Sequence, residues 1–283
     1  MKLEKLLNKK FPQLEHTLNA RDAMLYSLGI GYGENAVDPK ELQFIYEAGL
    51  QVFPGMVNVI SHPGGWVKEA ELEIDWVKLL HGEQAFELYR PLEPNKTYVG
   101  TYRITGVIDK GIGKGVMIYM EKQLREKGHD EIVSTVTSTY VLRGDGGCGS
   151  TIDKAPAVHQ LPDRPHDIKL ALATIPQAAL IYRLSGDYNP IHADPILAQQ
   201  AGFEKPILHG LCTLGIATRA VLQTCCENKP ERLKSLQLRF SSPVYPGETI
   251  ITEIWRDNKN ISFRSKVIER DVIVLNNGLA KVS

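Results

Sequence analysis

The sequence is poor in cysteine, in long apolar runs and in excess charge of either sign. Its 283 residues include only 4 cysteines, and these are not spaced as zinc ligands. We therefore expect reduced thiols and no disulfide framework. The 33 basic side chains balance the 33 acidic ones, so nucleic acid or an acidic membrane surface is not indicated as a partner. No apolar stretch is long enough for a transmembrane helix, and the expectation is a soluble globular protein.

Targeting and cofactor motifs are also missing. The first residues carry mixed charge and do not resemble a signal peptide, while the last three, Lys-Val-Ser, differ from a Ser-Lys-Leu peroxisomal address. A cytoplasmic location is the expectation, with a peroxisomal one as the alternative. The glycines of residues 29–33 follow a predicted helix rather than a strand and lack dinucleotide-binding spacing.

A cluster of polar side chains lies in residues 185–194, Ser-Gly-Asp-Tyr-Asn-Pro-Ile-His-Ala-Asp. A proline follows Asn189 and disfavours the α conformation there, so Asp187, Asn189 and His192 are predicted to lie on a loop. Asp194, followed by another proline, is a good start for a short helix that a glycine ends. The loop is therefore predicted to be held in place at its C-terminal end.

The segment 207–222 is apolar almost all round, which is typical of a buried helix. Its first turn, near Gly210, offers backbone N–H groups without intrahelical partners, and such groups attract negative charge. The chain thus brings an acid/base cluster and an anion-friendly helix end close together in sequence.

Two stretches of the chain share patterns. The spacing Pro-x-x-Pro-x-x-Thr occurs in 91–97 and again in 243–249, and Leu-His-Gly occurs in 80–82 and 208–210. Alternating apolar residues predict three strands after each proline motif. We interpret the chain as two related α+β halves, each with an antiparallel sheet. The predicted bounds are 1–150 for the first half, 151–167 for a linker and 168–283 for the second.

The polar cluster and the Leu-His-Gly that follows it resemble the signature of the MaoC-like (R)-specific enoyl-CoA hydratases, known as hydratase 2. Most of the chain is similar to the two-domain form found in the hydratase part of peroxisomal multifunctional enzyme type 2. This resemblance implies a double hot-dog fold, in which only the second half wraps its sheet around a buried helix and carries the catalytic loop. The first half would accommodate the acyl chain and coenzyme A.

The resemblance also implies roles for individual residues. Asp187, His192, Asn189 and Gly210 would form the catalytic group. The substrate-binding positions that it implies are His81, Gly82, Lys110, Tyr188, Pro190, Ile191 and Phe240. The family usually has Asp-Lys-Gly-Lys-Gly at this place. This chain has isoleucine at position 112 instead of the second lysine, so Lys110 is the family lysine that remains for a contact with coenzyme A.

Plainer interpretations remain open for each catalytic candidate. Asp187 could only close a turn, Asn189 could only form an Asx turn, and His192 could be a structural histidine. Gly210 could relieve crowding instead of allowing a carbonyl oxygen to approach its N–H group closely. Asp187 and His192 flanking Asn-Pro favour chemistry, but which of them takes the first proton is not decided by the sequence.

The predicted activity is a hydro-lyase reaction: (R)-specific hydration of trans-2-enoyl-CoA to (3R)-3-hydroxyacyl-CoA. The alternatives are a dehydratase acting on branched or sterol-type acyl thioesters and a non-catalytic acyl-CoA-binding protein. No cofactor and no metal are expected, because water addition beside a carbonyl can proceed by hydrogen bonding and the histidines do not cluster at ligand spacing. The resemblance further implies a homodimer.

Overall fold

A single antiparallel sheet of ten strands forms the framework of the computed structural model, which describes all 283 residues. The strands are β1 (Leu14–Leu18), β2 (Leu79–Leu88), β3 (Lys96–Asp109), β4 (Val116–Glu126), β5 (Ile132–Leu142), β6 (Ile168–Ala173), β7 (Leu233–Phe240), β8 (Thr249–Asp257), β9 (Asn260–Val267) and β10 (Val272–Val282). The helices are α1 (Leu3–Leu7), α2 (Ala20–Gly29), α3 (Pro39–Leu42), α4 (Ala178–Tyr182), α5 (Pro195–Gln200) and α6 (Gly210–Cys225).

The order of the strands across the sheet shows two related halves. It runs β1-β3-β4-β5-β2 and then β7-β10-β9-β8-β6, so the second half repeats the first in the opposite direction. The halves join where β2 pairs with β7, from Glu83 opposite Arg239 to Glu87 opposite Ser235. This arrangement confirms the predicted α+β double hot-dog fold. None of the helices is long and apolar enough to cross a membrane.

Helix α6 is the buried element of the second half. It packs against all five strands from β6 to β10, and its residues from Cys212 to Leu222 are buried. Close contact with the N-terminal segment depends on Gly215, since a Cβ there would lie 2.6 Å from the side chain of Ile30. The sequence pattern therefore predicted both this helix and its burial correctly.

A buried ion pair links α6 to the segment after α2. Arg219, only 2% exposed, donates to a carboxylate oxygen of Glu41 at 3.0 Å and to the carbonyl oxygen of Gly31 at 2.6 Å. Glu41 also accepts the backbone N–H of Gly33 at 2.8 Å. The glycine-rich turn at 29–33 thus has a structural role around Arg219.

The first half has no counterpart of α6 on its concave face. A buried 3₁₀ turn, Pro54–Asn58, packs there against β2 and β5. This turn is much smaller than a 16-residue helix, so part of the concave face is left uncovered. A cavity occupies that space.

The Leu-His-Gly repeat is not a structural repeat, and that interpretation was wrong. Residues 80–82 lie within β2, whereas residues 208–210 lead into α6. Since β2 is the counterpart of β7, the two tripeptides occupy different places in their halves. The proline repeat is different, because both copies connect equivalent strands, β2 to β3 and β7 to β8.

Candidate active site

A cavity of about 470 Å³ lies between the two halves. Strands β2, β4 and β5 line it from the first half, while the polar loop and the start of α6 line it from the second. Its polar and flanking residues include Asn58, His62, His81, Gln84, Lys122, Ser138, Tyr140, Arg143, Asp187, Asn189, Ile191, His192, Gly210 and Leu211. The structure therefore brings five of the predicted site residues from the second half together with His81 from the first.

His192 is held in a defined orientation at the end of a short 3₁₀ turn, Pro190–His192. The side chain is 8% exposed, and its Nδ1–H donates to the carbonyl oxygen of Ile207 at 2.8 Å. With the proton on Nδ1, the Nε2 lone pair is free. Burial lowers the pKa of His192, so the ring is neutral at neutral pH. This histidine is equipped to accept a proton.

Asp187 faces His192 across a gap. Its Oδ2 lies 3.9 Å from His192 Nε2, which is too far for a direct hydrogen bond. Its Oδ1 accepts the backbone N–H of Asn189 at 3.1 Å, which forms an Asx turn and fixes the carboxylate. The carboxylate is 46% exposed on the cavity side. A water molecule could bind both His192 and Asp187 across this gap.

The amide of Asn189 does not contact His192. Its Oδ1 accepts the backbone N–H of Ile191 at 3.4 Å and so caps the turn that carries His192. Asn189 thus connects the two acid/base residues through the backbone, and the Asx-turn interpretation describes its side chain. A role for Asn189 in catalysis stays a prediction.

His209 contacts the polar loop and holds it in position. Its Nε2–H donates to the backbone carbonyl of Asp187 at 3.0 Å, and its ring stacks on His192 with centroids 3.6 Å apart. Burial, helped by the neighbouring His192, lowers the pKa of His209 to about 4. The structure thus gives His209 a positioning contact with both members of the pair.

Gly210 is the first residue of α6, and its N–H and that of Leu211 have no protein acceptor. The N-terminus of a helix carries a partial positive charge of roughly half an elementary charge. A Cβ at position 210 would lie 3.2 Å from the ring of Phe240. Gly210 therefore both offers a donor to the cavity and leaves room for an aromatic ring, so neither interpretation is eliminated.

Phe240 and His81 form the opposite side of the site. Their ring centroids are 4.8 Å apart, and His81 also stacks on Tyr140 at 5.5 Å. The Nε2–H of His81 donates to Gln84 Oε1 at 2.8 Å, and burial lowers the pKa of His81 to about 4. Phe240 contacts the site through His81 and Gly210 but does not line the cavity.

Four other predicted positions lie outside the cavity. Lys110 is exposed in the turn between β3 and β4, and Gly82 lies at an irregularity in the pairing of β2 with β5. Tyr188 and Pro190 are exposed on the outer side of the polar loop. Their assignment to substrate binding stays a prediction.

Sequence reasoning missed the polar residues of the first half that line the cavity. Lys122 is the clearest case, since it is 3% exposed and donates to the carbonyl oxygens of Val57 and Ile60 at 2.6 and 2.8 Å. A signal was present, because Lys122 is in phase with the inward-facing residues Met120 and Leu124 of strand β4. A charge in an apolar strand face could have identified it.

Asp187, His192 and His209 each offer one ligand atom within 4.8 Å of the others. The expectation that the histidines do not cluster was therefore wrong in three dimensions. The ring planes of His192 and His209 are stacked and only 24° from parallel. A metal ion binds in the plane of the imidazole ring that holds it. Because the rings of His192 and His209 are nearly parallel, no point close to one nitrogen of each ring lies in both planes. These residues fit a metal ion poorly, and the absence of a metal stays a prediction.

Comparison with known proteins identifies a family model for each half of the chain. Residues 154–278 match the family model described as MaoC like domain, and residues 16–144 match the MFE-2 hydratase 2 N-terminal domain. The chain is 38% identical to peroxisomal enoyl-CoA hydratase 2 of Arabidopsis thaliana, over 95% of this chain and 92% of that protein. It is also 38% identical to mouse peroxisomal multifunctional enzyme type 2, over 95% of this chain but 37% of that longer protein.

Solved structures of MaoC-like proteins also match this chain over nearly its full length. The MaoC-like dehydratase from Phytophthora capsici superposes with a TM-score of 0.88 at 33% identity, covering 100% of this chain and 98% of that one. Full-length multifunctional enzyme type 2 from Drosophila melanogaster superposes with a TM-score of 0.82 at 31% identity, over 96% of this chain and 48% of that one. From its sequence and its fold, this chain belongs to the MaoC-like hydratase 2 family.

Proposed function

We propose that the protein hydrates trans-2-enoyl-CoA to (3R)-3-hydroxyacyl-CoA, with Asp187 and His192 activating the water. One observation carries the proposal: a neutral histidine with a free Nε2 faces a carboxylate across 3.9 Å, inside a cavity that also receives the N-terminus of α6. The relatives named as hydratases support the reaction class, and the (R) hand of the product rests on the family.

The first step is removal of a proton from water. We assign the first proton to His192 Nε2, because the ring is buried and held by the carbonyl of Ile207 with this nitrogen free, whereas the Asp187 carboxylate is 46% exposed. The carboxylate orients the water and stabilises the imidazolium that forms. The hydroxide adds to C3, and the pair returns one proton to C2 on the same face. The net change is addition of one water molecule across the double bond.

The second requirement is stabilisation of the enolate. Negative charge develops on the thioester oxygen as C3 is attacked, and a donor fixed in place before the reaction stabilises it without reorganisation. The free N–H of Gly210 at the start of α6 supplies that donor. The absence of a side chain at this position permits close approach of the oxygen.

We propose that the acyl group of the substrate lies in the first half. The cavity extends along β4 and β5 where that half lacks a helix, and Lys110 lies beyond the opposite end, in the turn that leads into β4. We assign coenzyme A to the Lys110 end for this reason. The site needs no cofactor for these steps.

The test is a spectrophotometric assay with trans-2-decenoyl-CoA, in which hydration removes the enoyl absorbance. Product handedness is then checked with an (R)-specific 3-hydroxyacyl-CoA dehydrogenase. Loss of absorbance with an (R) product supports the proposal. Binding of acyl-CoA without turnover of short, long or branched enoyl-CoAs would favour the non-catalytic alternative instead.

The direction of the reaction in the cell depends on the concentrations of substrate and product, because the same site catalyses both hydration and dehydration. A non-catalytic acyl-CoA-binding protein fits these residues poorly, since binding alone has no use for the Asp187–His192 pair.

We also propose that the protein is a homodimer and is located in the cytoplasm. Relatives described as peroxisomal make a peroxisomal location the alternative.

A further inference from the structure

The acyl end of the cavity contains a buried lysine. Lys122 lies on β4, opposite Val136 of β5, and both residues line the cavity. Its side chain is withdrawn from bulk solvent, and burial lowers its pKa to about 7. A lysine in such a place is unusual, because cavities for plain alkyl chains are lined by apolar groups.

Lys122 has no acidic partner. It donates to the carbonyl oxygens of Val57 and Ile60, and burial is the only influence that shifts its pKa, with no carboxylate acting on it. An ammonium group has three N–H donors, so one remains after these two hydrogen bonds. A buried ammonium group is normally paired with a carboxylate, and the protein supplies none here, so a carboxylate from outside would favour the charged form of Lys122.

The polar character extends beyond Lys122. Ser138 donates to Gln84 at 2.7 Å, and Gln84 donates to Asn58 at 2.7 Å, so a hydrogen-bonded chain lines the cavity beside the lysine. Asn58 belongs to the same short turn as Val57, whose carbonyl oxygen accepts from Lys122. These side chains are hydrogen-bonded to one another, so the cavity wall beside Lys122 is polar, and the lysine is the group with an N–H left to donate.

The position of Lys122 matches the remote end of an acyl group. Tyr140, which stacks on His81 beside the reaction centre, lies four residues along β5 from Val136, or roughly 13 Å. The turn with Lys110 lies at the other end of β4, since Val116 pairs with Leu142 there. A chain that enters past Lys110 and reacts near His81 therefore points its far end toward Lys122.

We propose that this enzyme prefers acyl-CoA substrates that carry a carboxylate at the end remote from the thioester, with Lys122 as the residue that binds it. The carboxylate would accept the remaining N–H of Lys122 and supply the missing counter-charge. The inference rests on the proposed hydratase function and specifies the substrate class of that same site.

The experiment compares trans-2-decenoyl-CoA with its ω-carboxylate analogue, and then shorter and longer pairs, in wild-type protein. We expect kcat/KM for the carboxylate member to exceed that of the alkyl member by about tenfold to a hundredfold at the best length, the value of one charged hydrogen bond. In Lys122→Met the preference should disappear, and in Lys122→Arg it should be partly restored. Lys127→Met removes an exposed lysine just beyond β4 and should keep the preference.

Each result has a defined meaning. An alkyl chain hydrated as well as or better than its carboxylate partner at every length overturns the inference and leaves the hydratase function intact. No hydration of either member contradicts the proposed function itself. If Lys122→Met lowers both activities equally, the lysine only supports the turn and the inference fails. Should that variant not fold, the wild-type comparison and Lys122→Gln decide the question.

Discussion

His192 and His209 stack with their ring centroids 3.6 Å apart, and each ring donates to a different backbone carbonyl. Both rings are buried, and burial lowers the pKa of each. Burial therefore keeps His192 in the neutral form that the proposed mechanism needs, while the neighbouring His192 further lowers the pKa of His209.

The pH dependence of hydration follows from the burial of His192. Since the pKa of His192 is lowered from its usual value of about 6.5, the neutral base persists at mildly acidic pH. We predict that kcat/KM stays level as the pH falls through 6.5 and declines only below it, because protonation of His192 then removes the base. The measurement is the pH profile of kcat/KM, with circular dichroism at each pH to show that the protein remains folded. A decline centred at or above 6.5 would contradict the assignment.

The variant Gly210→Ala tests the start of α6. A Cβ at this position would approach the ring of Phe240 to 3.2 Å and lie beside the proposed oxyanion donor. We predict a loss of stability of about 1–3 kcal/mol, typical of overpacking, with a proportionally larger loss of kcat. Unfolding in urea and steady-state kinetics measure the two effects.

The double variant Gly210→Ala/Phe240→Leu separates the two explanations of this glycine. Removal of the aromatic ring gives the new methyl group space, so stability should recover. Activity should not recover beyond that of Phe240→Leu alone if the methyl group blocks the thioester oxygen. Recovery of activity together with stability would favour crowding as the only role of Gly210.

The ion pair between Arg219 and Glu41 is predicted to stabilise the protein rather than to act in catalysis. Glu41→Gln leaves a buried guanidinium without its close partner, although Glu34 remains 3.8 Å away. The free energy of unfolding should fall by about 3 kcal/mol, near the low end for breaking a buried pair. Glu15→Gln, in the exposed pair with Lys127, is the matched control and should cost less than about 1 kcal/mol. Equal effects of the two substitutions would show that burial does not strengthen the first pair.

The catalytic loop could be predicted from sequence because its structure is local. The proline after Asn189 and the cap at Asp194 set the backbone within a few residues, and α5 indeed begins at Pro195 with Asp194 accepting the N–H groups of Ile196 and Leu197. Helix α6 was predictable for a similar reason, since an apolar surface all round requires burial.

The cavity wall of the first half was harder to predict because it depends on contacts distant in sequence. Lys122 donates to carbonyl groups more than sixty residues earlier in the chain, and the pairing of β2 with β7 brings His81 to Phe240. The repeated Leu-His-Gly was misleading because three residues carry too little information to define a strand or a helix start.

The activity of Asp187→Asn shows whether Asp187 and His192 activate water. The amide keeps the size of the side chain and an oxygen for the Asx turn, but it removes the negative charge that faces His192 across 3.9 Å. If the pair activates water, kcat/KM for trans-2-decenoyl-CoA should fall by about 10²- to 10⁴-fold while the melting temperature stays near that of the wild type. Near-normal turnover by the folded variant would show that the pair does not activate water.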